Sequence, residues 1–316
     1  MEYKNISDLN NIIIKKLYLV PSDIDLVVGI PRSGIIPAVL IALYKNLPYC
    51  DFYSFIRGNL NEGGERTKDF DLTNIKNVLI VDDTVCSGNS LIKAKEELSK
   101  TQNNYKFTFS TIYIKPGNEY LVDIFFEKVE MPRVFQWNIF HHHILQNSCV
   151  DIDGVLCIDP TEAENDDGEK YIEFIINVKP LYIPTTEINT IVSCRLEKYR
   201  ELTEYWLKEN GVKYKKLILL DLPDKEARIK WNKYGEFKAK IFSENNYSLF
   251  IESSLKQAKI ISEGTNKAVY CIENFEMIKP QINFKGKVKK VFIKIGFNRL
   301  VKFKLFKYLY RSLIRY

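Results

Sequence analysis

The sequence predicts an α/β protein: two Rossmann-like parallel-sheet domains followed by a basic amphipathic helix. Three observations carry that prediction. Apolar, strand-like runs alternate with helical stretches over residues 1–147 and again over 148–283. In each stretch one apolar run leads straight into a close pair of acids, Asp82-Asp83 in the first and Asp151 and Asp153 in the second. Charge then separates the remainder, residues 284–316: positions 285–316 hold eight Lys, three Arg and no acid. The +11 carried there leaves −5 for the rest of a chain whose net charge is +6.

In the first domain, Ile24–Ile30 reads as a buried strand ending in the turn Pro31-Arg32-Ser33-Gly34, with Ile35–Tyr44 as the helix that follows. Tyr49–Phe55 and Val78–Val81 read as further strands, and Ser90–Ser99 as a helix leading to the strand Phe107–Ile114. Between Arg57 and Thr73 a polar stretch contains Gly58, Gly63 and Gly64, too glycine-rich for a packed element. The second domain begins at Ser148 without a long linker, so the two domains are expected to abut. Its expected strands are Cys149–Leu156, Ile188–Ser193, Leu217–Leu220, Leu249–Ile251 and Ala268–Ile272, with a helix over Glu197–Asn210 closed by Gly211.

Composition excludes several classes. With 316 residues, 46% of them apolar and 13% aromatic, the chain can bury two cores and is not a disordered tract. The six cysteines lack CxxC spacing, which argues against a zinc site or a disulfide framework. The N-terminus carries charges where a signal peptide needs an apolar stretch, and the longest uncharged apolar run, Ile35–Tyr44, is too short to span a bilayer. The expectation is a cytoplasmic protein, peripheral at the inner face of the membrane if the tail attaches it there.

Acids at the carboxyl edge of a parallel strand can accept hydrogen bonds from a vicinal diol, and a loop entering a helix N-terminus can bind a phosphate. Ribose 5-phosphate has both groups at that separation. The segment Val78–Ser90 resembles the 5-phosphoribosyl pyrophosphate (PRPP) motif of type I phosphoribosyltransferases. The resemblance implies that Asp82 and Asp83 hold the ribose hydroxyls, and that Thr84, Cys86, Ser87, Gly88, Asn89 and Ser90 wrap the 5-phosphate. Arg32, Ser33 and Gly34 stand where the family grips pyrophosphate, and Arg66 or Lys68 would close over it from the glycine-rich stretch. Magnesium would bridge pyrophosphate and ribose hydroxyls. Acceptor choice falls to a hood over Met131–Leu145, containing Phe135, Trp137, Phe140 and His141-His142-His143. Three adjacent histidines cannot all face one metal, so they are read as solvated or packed in the hood.

In Cys149-Val-Asp151-Ile-Asp153-Gly, the first carboxylate can attack phosphorus while the second gives a proton to the leaving oxygen. This resembles the first motif of the haloacid dehalogenase (HAD) superfamily. By that resemblance Asp151 is the nucleophile and Asp153 the general acid, with its backbone carbonyl on magnesium. Ser193 and Lys238 hold the phosphoryl group, Lys240 being a rival for the lysine, and Glu252 completes the metal set of Asp151, Asp153 and Glu252. The chain departs from the commonest pattern in having Glu252 followed by two serines instead of an Asp with an acidic neighbour. Pro160–Pro184 is expected to be at most a small cap.

Drawn as a helix from Phe297, the tail sets Lys304, Lys307, Arg311 and Arg315 on one side and Leu305, Leu309 and Leu313 on another. That pattern suits an anionic membrane surface, with a final helix packed on the second domain as the alternative. Nucleic acid is not expected, because the body is acidic and no nucleic-acid-binding module is visible. Together the motifs predict a bifunctional enzyme: transfer of 5-phosphoribosyl from PRPP to a glycan hydroxyl, lipid-linked where the tail attaches to a membrane, then removal of the 5-phosphate. Alternatives are a nucleobase acceptor and a non-catalytic PRPP sensor, and a homodimer is compatible with each.

Overall fold

The computed structural model describes residues 1–60, 74–101 and 104–280. Residues 61–73 of the glycine-rich stretch, with Arg66 and Lys68, and the basic tail lie outside the described residues. The first half runs β1 (Glu2–Lys4), α1 (Ile6–Lys16), β2 (Leu26–Gly29), α2 (Ile35–Lys45), β3 (Tyr49–Asp51), α3 (Phe52–Ile56), β4 (Asn77–Val85), α4 (Asn89–Ser99), β5 (Lys106–Ile114), β6 (Ile124–Lys128) and β7 (Arg133–Phe135). Among the described residues, five of these strands form a parallel sheet in the order β3-β2-β4-β5-β6, and β1 pairs with β7. Strand residues alternate between two apolar clusters. Val27, Leu79 and Val81 pack on one face, Leu26, Val28, Val78 and Ile80 on the other. Both faces are covered, which is why these strands read as continuous apolar runs.

The second half runs β8 (Ser148–Val150), α5 (Glu169–Asn177), β9 (Ile188–Leu196), α6 (Arg200–Glu209), β10 (Tyr214–Leu220), α7 (Lys225–Trp231), α8 (Tyr234–Glu244), β11 (Leu249–Glu252), α9 (Leu255–Thr265), β12 (Val269–Cys271) and β13 (Glu276–Ile278). Its sheet has the order β10-β9-β8-β11-β12-β13, parallel except for the antiparallel β12–β13 pair. In both sheets the chain builds outward to one side and then crosses to the other, between β2 and β4 and between β8 and β11. The carboxyl ends of strands at such a switch point diverge and leave a crevice.

Several element boundaries differ from the sequence expectation, three of them next to an acid of interest. The strand expected over Tyr49–Phe55 stops at Asp51, whose carboxylate caps α3 by accepting from the Tyr53 and Ser54 amides. The strand expected over Cys149–Leu156 stops at Val150, because the amides of Val155, Leu156 and Cys157 all turn back to the Ile152 carbonyl. β4, in contrast, runs through the acid pair to Val85, paired with Ile114 of β5. No helix among the described residues is long and apolar enough to cross a membrane.

The halves join through short 3-10 turns at Gln136–His141 and His143–Asn147. Val134, Ile139, Ile144 and Leu145 of this connection pack into the same apolar cluster as Val150, Ile191 and Ile251 of the second sheet, and Met1 and Tyr3 pack against it. His142 Nδ1 accepts a hydrogen bond from the Ile144 amide at 3.1 Å, so the fold requires that nitrogen unprotonated. Burial, followed by the neighbouring His143, holds the His142 pKa down at about 4. The fold stability this provides is fully present above the ordinary histidine value near 6.5 and is lost as the pH falls towards 4. His142→Asn is expected to flatten the pH dependence of urea-unfolding stability across that window and leave its slope above pH 7 unchanged.

Candidate active sites

The first candidate site surrounds Asp83. The turn after β2 passes so close to β4 that a Cβ on Gly34 would lie 2.5 Å from the Ile30 carbonyl oxygen and 2.8 Å from that of Val81. Only glycine fits there, and the approach sets Ser33 opposite the acids. Ser33 Oγ donates to Asp83 Oδ1 at 2.8 Å, and the indole Nε1 of Trp137 donates to Asp83 Oδ2 at 2.8 Å. One carboxylate therefore ties together the β2–α2 turn, the acid pair and the hood. Asp82 accepts from the Asp83 amide at 2.9 Å, and burial, then its neighbour Asp83, pushes its pKa well above the usual carboxylate range.

Beyond the acids, the loop from Thr84 turns into α4 at Gly88, and the helix has no side-chain cap. The Asn89 amide reaches Ser87 Oγ only at 3.5 Å, and Cys86, Ser87, Asn89 and Ser90 are exposed around this helix start, where an anion can be received. The buried Arg133 braces this loop. Its Nη2 donates to Thr84 Oγ1 at 2.7 Å and to the Val85 carbonyl at 3.0 Å, and its Nη1 to the Val129 carbonyl at 3.1 Å. Asn118 donates to the Cys86 carbonyl from the other side. Arg32 is exposed at the mouth, one residue from Ser33.

The second candidate site lies at the carboxyl ends of β8, β9 and β11. Lys238 projects from α8 with its Nζ 2.7 Å from Asp151 Oδ2 and 2.7 Å from Glu252 Oε2, and all three side chains are buried. Its rival Lys240 is exposed on the same helix and faces Glu244. Glu252 Oε1 accepts from the Ser254 amide and Ser253 Oγ, so the two serines after the acid hold its carboxylate. The β8–β9 register pairs Val150 with Ile191 and so sets Ser193 level with the Asp151–Asp153 turn. Gly154 in that turn has φ +72°, and a Cβ there would meet Ser253 at 2.5 Å.

Asp153 is engaged elsewhere. Arg195, entirely buried, donates to its carboxylate through Nε at 3.1 Å and Nη2 at 2.6 Å, and Nη2 also reaches Cys157 Sγ. Asp159, exposed at the rim, has its pKa raised by partial desolvation, then by Asp153 and Glu252. Burial and Glu252 push Asp151 up against the opposing pull of Lys238, whose ammonium stays charged. Four carboxylates thus face two cations. A surplus of negative charge on hard oxygen donors is what a magnesium ion requires, and Asp151, Glu252 and the Asp153 carbonyl would supply its ligands. Among the described residues no three His, Cys, Asp or Glu side chains are grouped to hold a metal, so the carboxylates of Asp151, Asp153 and Glu252 do not form the metal set expected from the sequence.

Residues 2–142 match the phosphoribosyl transferase domain family. This segment is a phosphoribosyltransferase domain. Among solved structures the chain is similar to the Helicobacter pylori xanthine-guanine-hypoxanthine phosphoribosyltransferase, at 19% identity over 44% of this chain and 92% of that one, with a TM-score of 0.33. It is also similar to a purine phosphoribosyltransferase from Pyrococcus horikoshii, at 24% identity over 43% and 92%, with a TM-score of 0.32. No curated protein matches the chain. Within the phosphoribosyltransferase domain the structure brings Ser33, Gly34, Asp82 and Asp83 together with Trp137. Arg133 escaped the sequence reading, although a lone arginine between Pro132 and the apolar pair Val134-Phe135 is a usable signal for a buried brace. Arg195 and Asp159 in the second site escaped it as well, since no spacing rule links them to Asp153.

Proposed function

We propose that the chain catalyses two consecutive steps on one product. In the first, an acceptor hydroxyl attacks C1 of PRPP. The bond from C1 to the pyrophosphate oxygen breaks, the bond from C1 to the acceptor oxygen forms, and the hydroxyl proton passes to solvent. Asp82 and Asp83 accept from the ribose hydroxyls, while Thr84, Cys86, Ser87, Gly88, Asn89 and Ser90, with the first amides of α4, take the 5-phosphate. Arg32, Ser33 and Gly34 hold the pyrophosphate, and Arg66 or Lys68 shields it from water. Magnesium bound with the pyrophosphate would offset its charge.

In the second step an Asp151 oxygen attacks the 5-phosphate. The P–O5 bond breaks, and the leaving oxygen takes a proton from Asp153. Water then cleaves the aspartyl phosphate, which restores Asp151 and releases inorganic phosphate, leaving a ribofuranosyl group on the acceptor. Lys238 and Ser193 hold the phosphoryl oxygens. Asp153 has to leave Arg195 and gain a proton before it can donate. The observation that carries this reading is the buried Asp151–Lys238–Glu252 bridge on the same chain as a phosphoribosyltransferase domain.

The acceptor proposed is a glycan hydroxyl, lipid-linked if the basic tail attaches the protein to an anionic membrane surface. A nucleobase is the second reading, and a cavity of about 290 Å³ lined by Trp137, Phe140, Tyr182, Tyr270 and Phe275 is open to either acceptor. Flat aromatic walls suit a sugar face and a base equally. Mass spectrometry of products formed from PRPP and magnesium, with lipid-linked glycans or purine bases as acceptors, separates the two. Asp151→Asn is expected to accumulate a phosphopentosyl product where the wild type gives a pentosyl one. Failure of any glycan to gain a pentose, alongside rapid transfer to a base, overturns the glycan reading.

A further inference from the structure

A second cavity, of about 260 Å³, is lined by Asn165, Cys194, Arg228, Ile229, Tyr234 and Gln257. Its walls continue outward from the second candidate site along three separate elements. Cys194 follows Ser193 on β9. Tyr234 lies four residues before Lys238 on α8, one helical turn away on the same face. Gln257 lies in the first turn of α9, which starts directly after Glu252-Ser253-Ser254. Burial pushes the Cys194 thiol up, and Lys238, Asp151 and Glu252 lie near enough to act on it electrostatically.

The polar groups of the cavity are incompletely used. Arg228 donates to the Cys194 carbonyl at 3.2 Å and to Asn165 Oδ1 at 3.0 Å, both neutral, and among the described residues no carboxylate forms an ion pair with it. Gln257 Oε1 is buried without a hydrogen-bond partner. A buried amide oxygen left unpaired is costly, so a ligand donor there would be favoured. Tyr234 and Ile229 offer an apolar wall. The loop carrying Asn165 is pinned by Asp167, which accepts from Tyr199, Lys198 and the Lys225 amide, so this side of the cavity is built in advance of any ligand.

We propose that this cavity binds the sugar ring of a 5-phosphofuranoside, with Gln257 and Arg228 taking ring hydroxyls and Tyr234 covering the ring's C–H face. The proposal rests on the phosphatase reading of Asp151 and gives that site its substrate class. The cavity has no carboxylate to repel a phosphorylated ligand, and its open side leaves room for a bulky aglycone.

The test compares phosphate release by the full chain with magnesium from methyl ribofuranoside 5-phosphate, glycerol 3-phosphate and p-nitrophenyl phosphate. The furanoside is expected to exceed glycerol 3-phosphate in kcat/KM by about tenfold or more. Gln257→Leu and Arg228→Met, on different elements, should each reduce that preference by about tenfold. Equal use of the two alkyl phosphates, or a preference retained in both variants, overturns the furanose site. Release from none of the three esters in an Asp151-dependent manner instead removes the phosphatase reading, and the furanose site falls with it.

Discussion

Lys238→Met is expected to destabilise the chain by about 3–5 kcal/mol and to abolish phosphate release. Lys238 lies within hydrogen-bonding distance of two buried carboxylates, Asp151 and Glu252. Removing a partner from a buried ion pair leaves charge without compensation, and such losses are far larger than those at the surface. The pH sign follows from Asp151. Its pKa is already raised to about 8, so wild type and variant alike lose stability as pH rises from about 4; without the ammonium the pKa rises further, and the variant goes on losing stability above pH 8 where the wild type levels off. Urea unfolding at about pH 7 and about pH 9.5 measures this: the deficit should be greater at the higher pH. The double variant Lys238→Met, Glu252→Gln should recover much of the stability and none of the activity. A single variant as stable as wild type at pH 8 would contradict the account of the bridge.

The second large effect is expected at Asp83. Asp83→Ala removes the shared acceptor of Ser33 Oγ and Trp137 Nε1 and one of the two proposed ribose ligands. PRPP-dependent pyrophosphate release should fall by about 10²–10³-fold, the usual loss on removing a positioned polar contact to a reacting group. Asp83→Asn separates the contributions. Its amide can still accept from the indole and donate to the Ser33 hydroxyl, so the turn and hood stay joined while the charge is lost. The fold stability of Asp83→Asn should match wild type within about 1 kcal/mol, while Asp83→Ala loses about 1–3 kcal/mol. If both variants retain full pyrophosphate release, the acid pair is not the ribose site.

Much of this was legible in the sequence for a physical reason. A strand buried on both faces must be a continuous apolar run, so β2, β4, β8 and β11 announced themselves, and the acids at their ends stood out against them. Boundaries were less legible. Nothing in Tyr49–Phe55 distinguishes a strand from a strand capped by Asp51, because the cap is decided by where the Asp51 carboxylate turns. The turn at Asp151–Cys157 hides in an apolar segment, since Val155, Leu156 and Cys157 are buried whether extended or turned. Long-range pairings were the least legible. Arg195 meets Asp153 across 42 residues and Trp137 meets Asp83 across 54, and no local pattern encodes either. What separates Lys238 from Lys240 is the burial of one face of α8, which the sequence alone does not display.

The apolar cluster shared across the junction has a consequence for genetics. Met1, Tyr3, Val134 and Ile144 from one half complete the packing of Val150, Ile191 and Ile251 from the other. Cutting the chain near Ser148 would expose that surface on both fragments, so neither is expected to survive as a separate gene product. An allele that weakens either half lowers the dosage of both activities, and the two proposed activities would rise and fall together across destabilising variants. Alleles that remove a single catalytic group without touching the cluster are the ones that would separate the phenotypes.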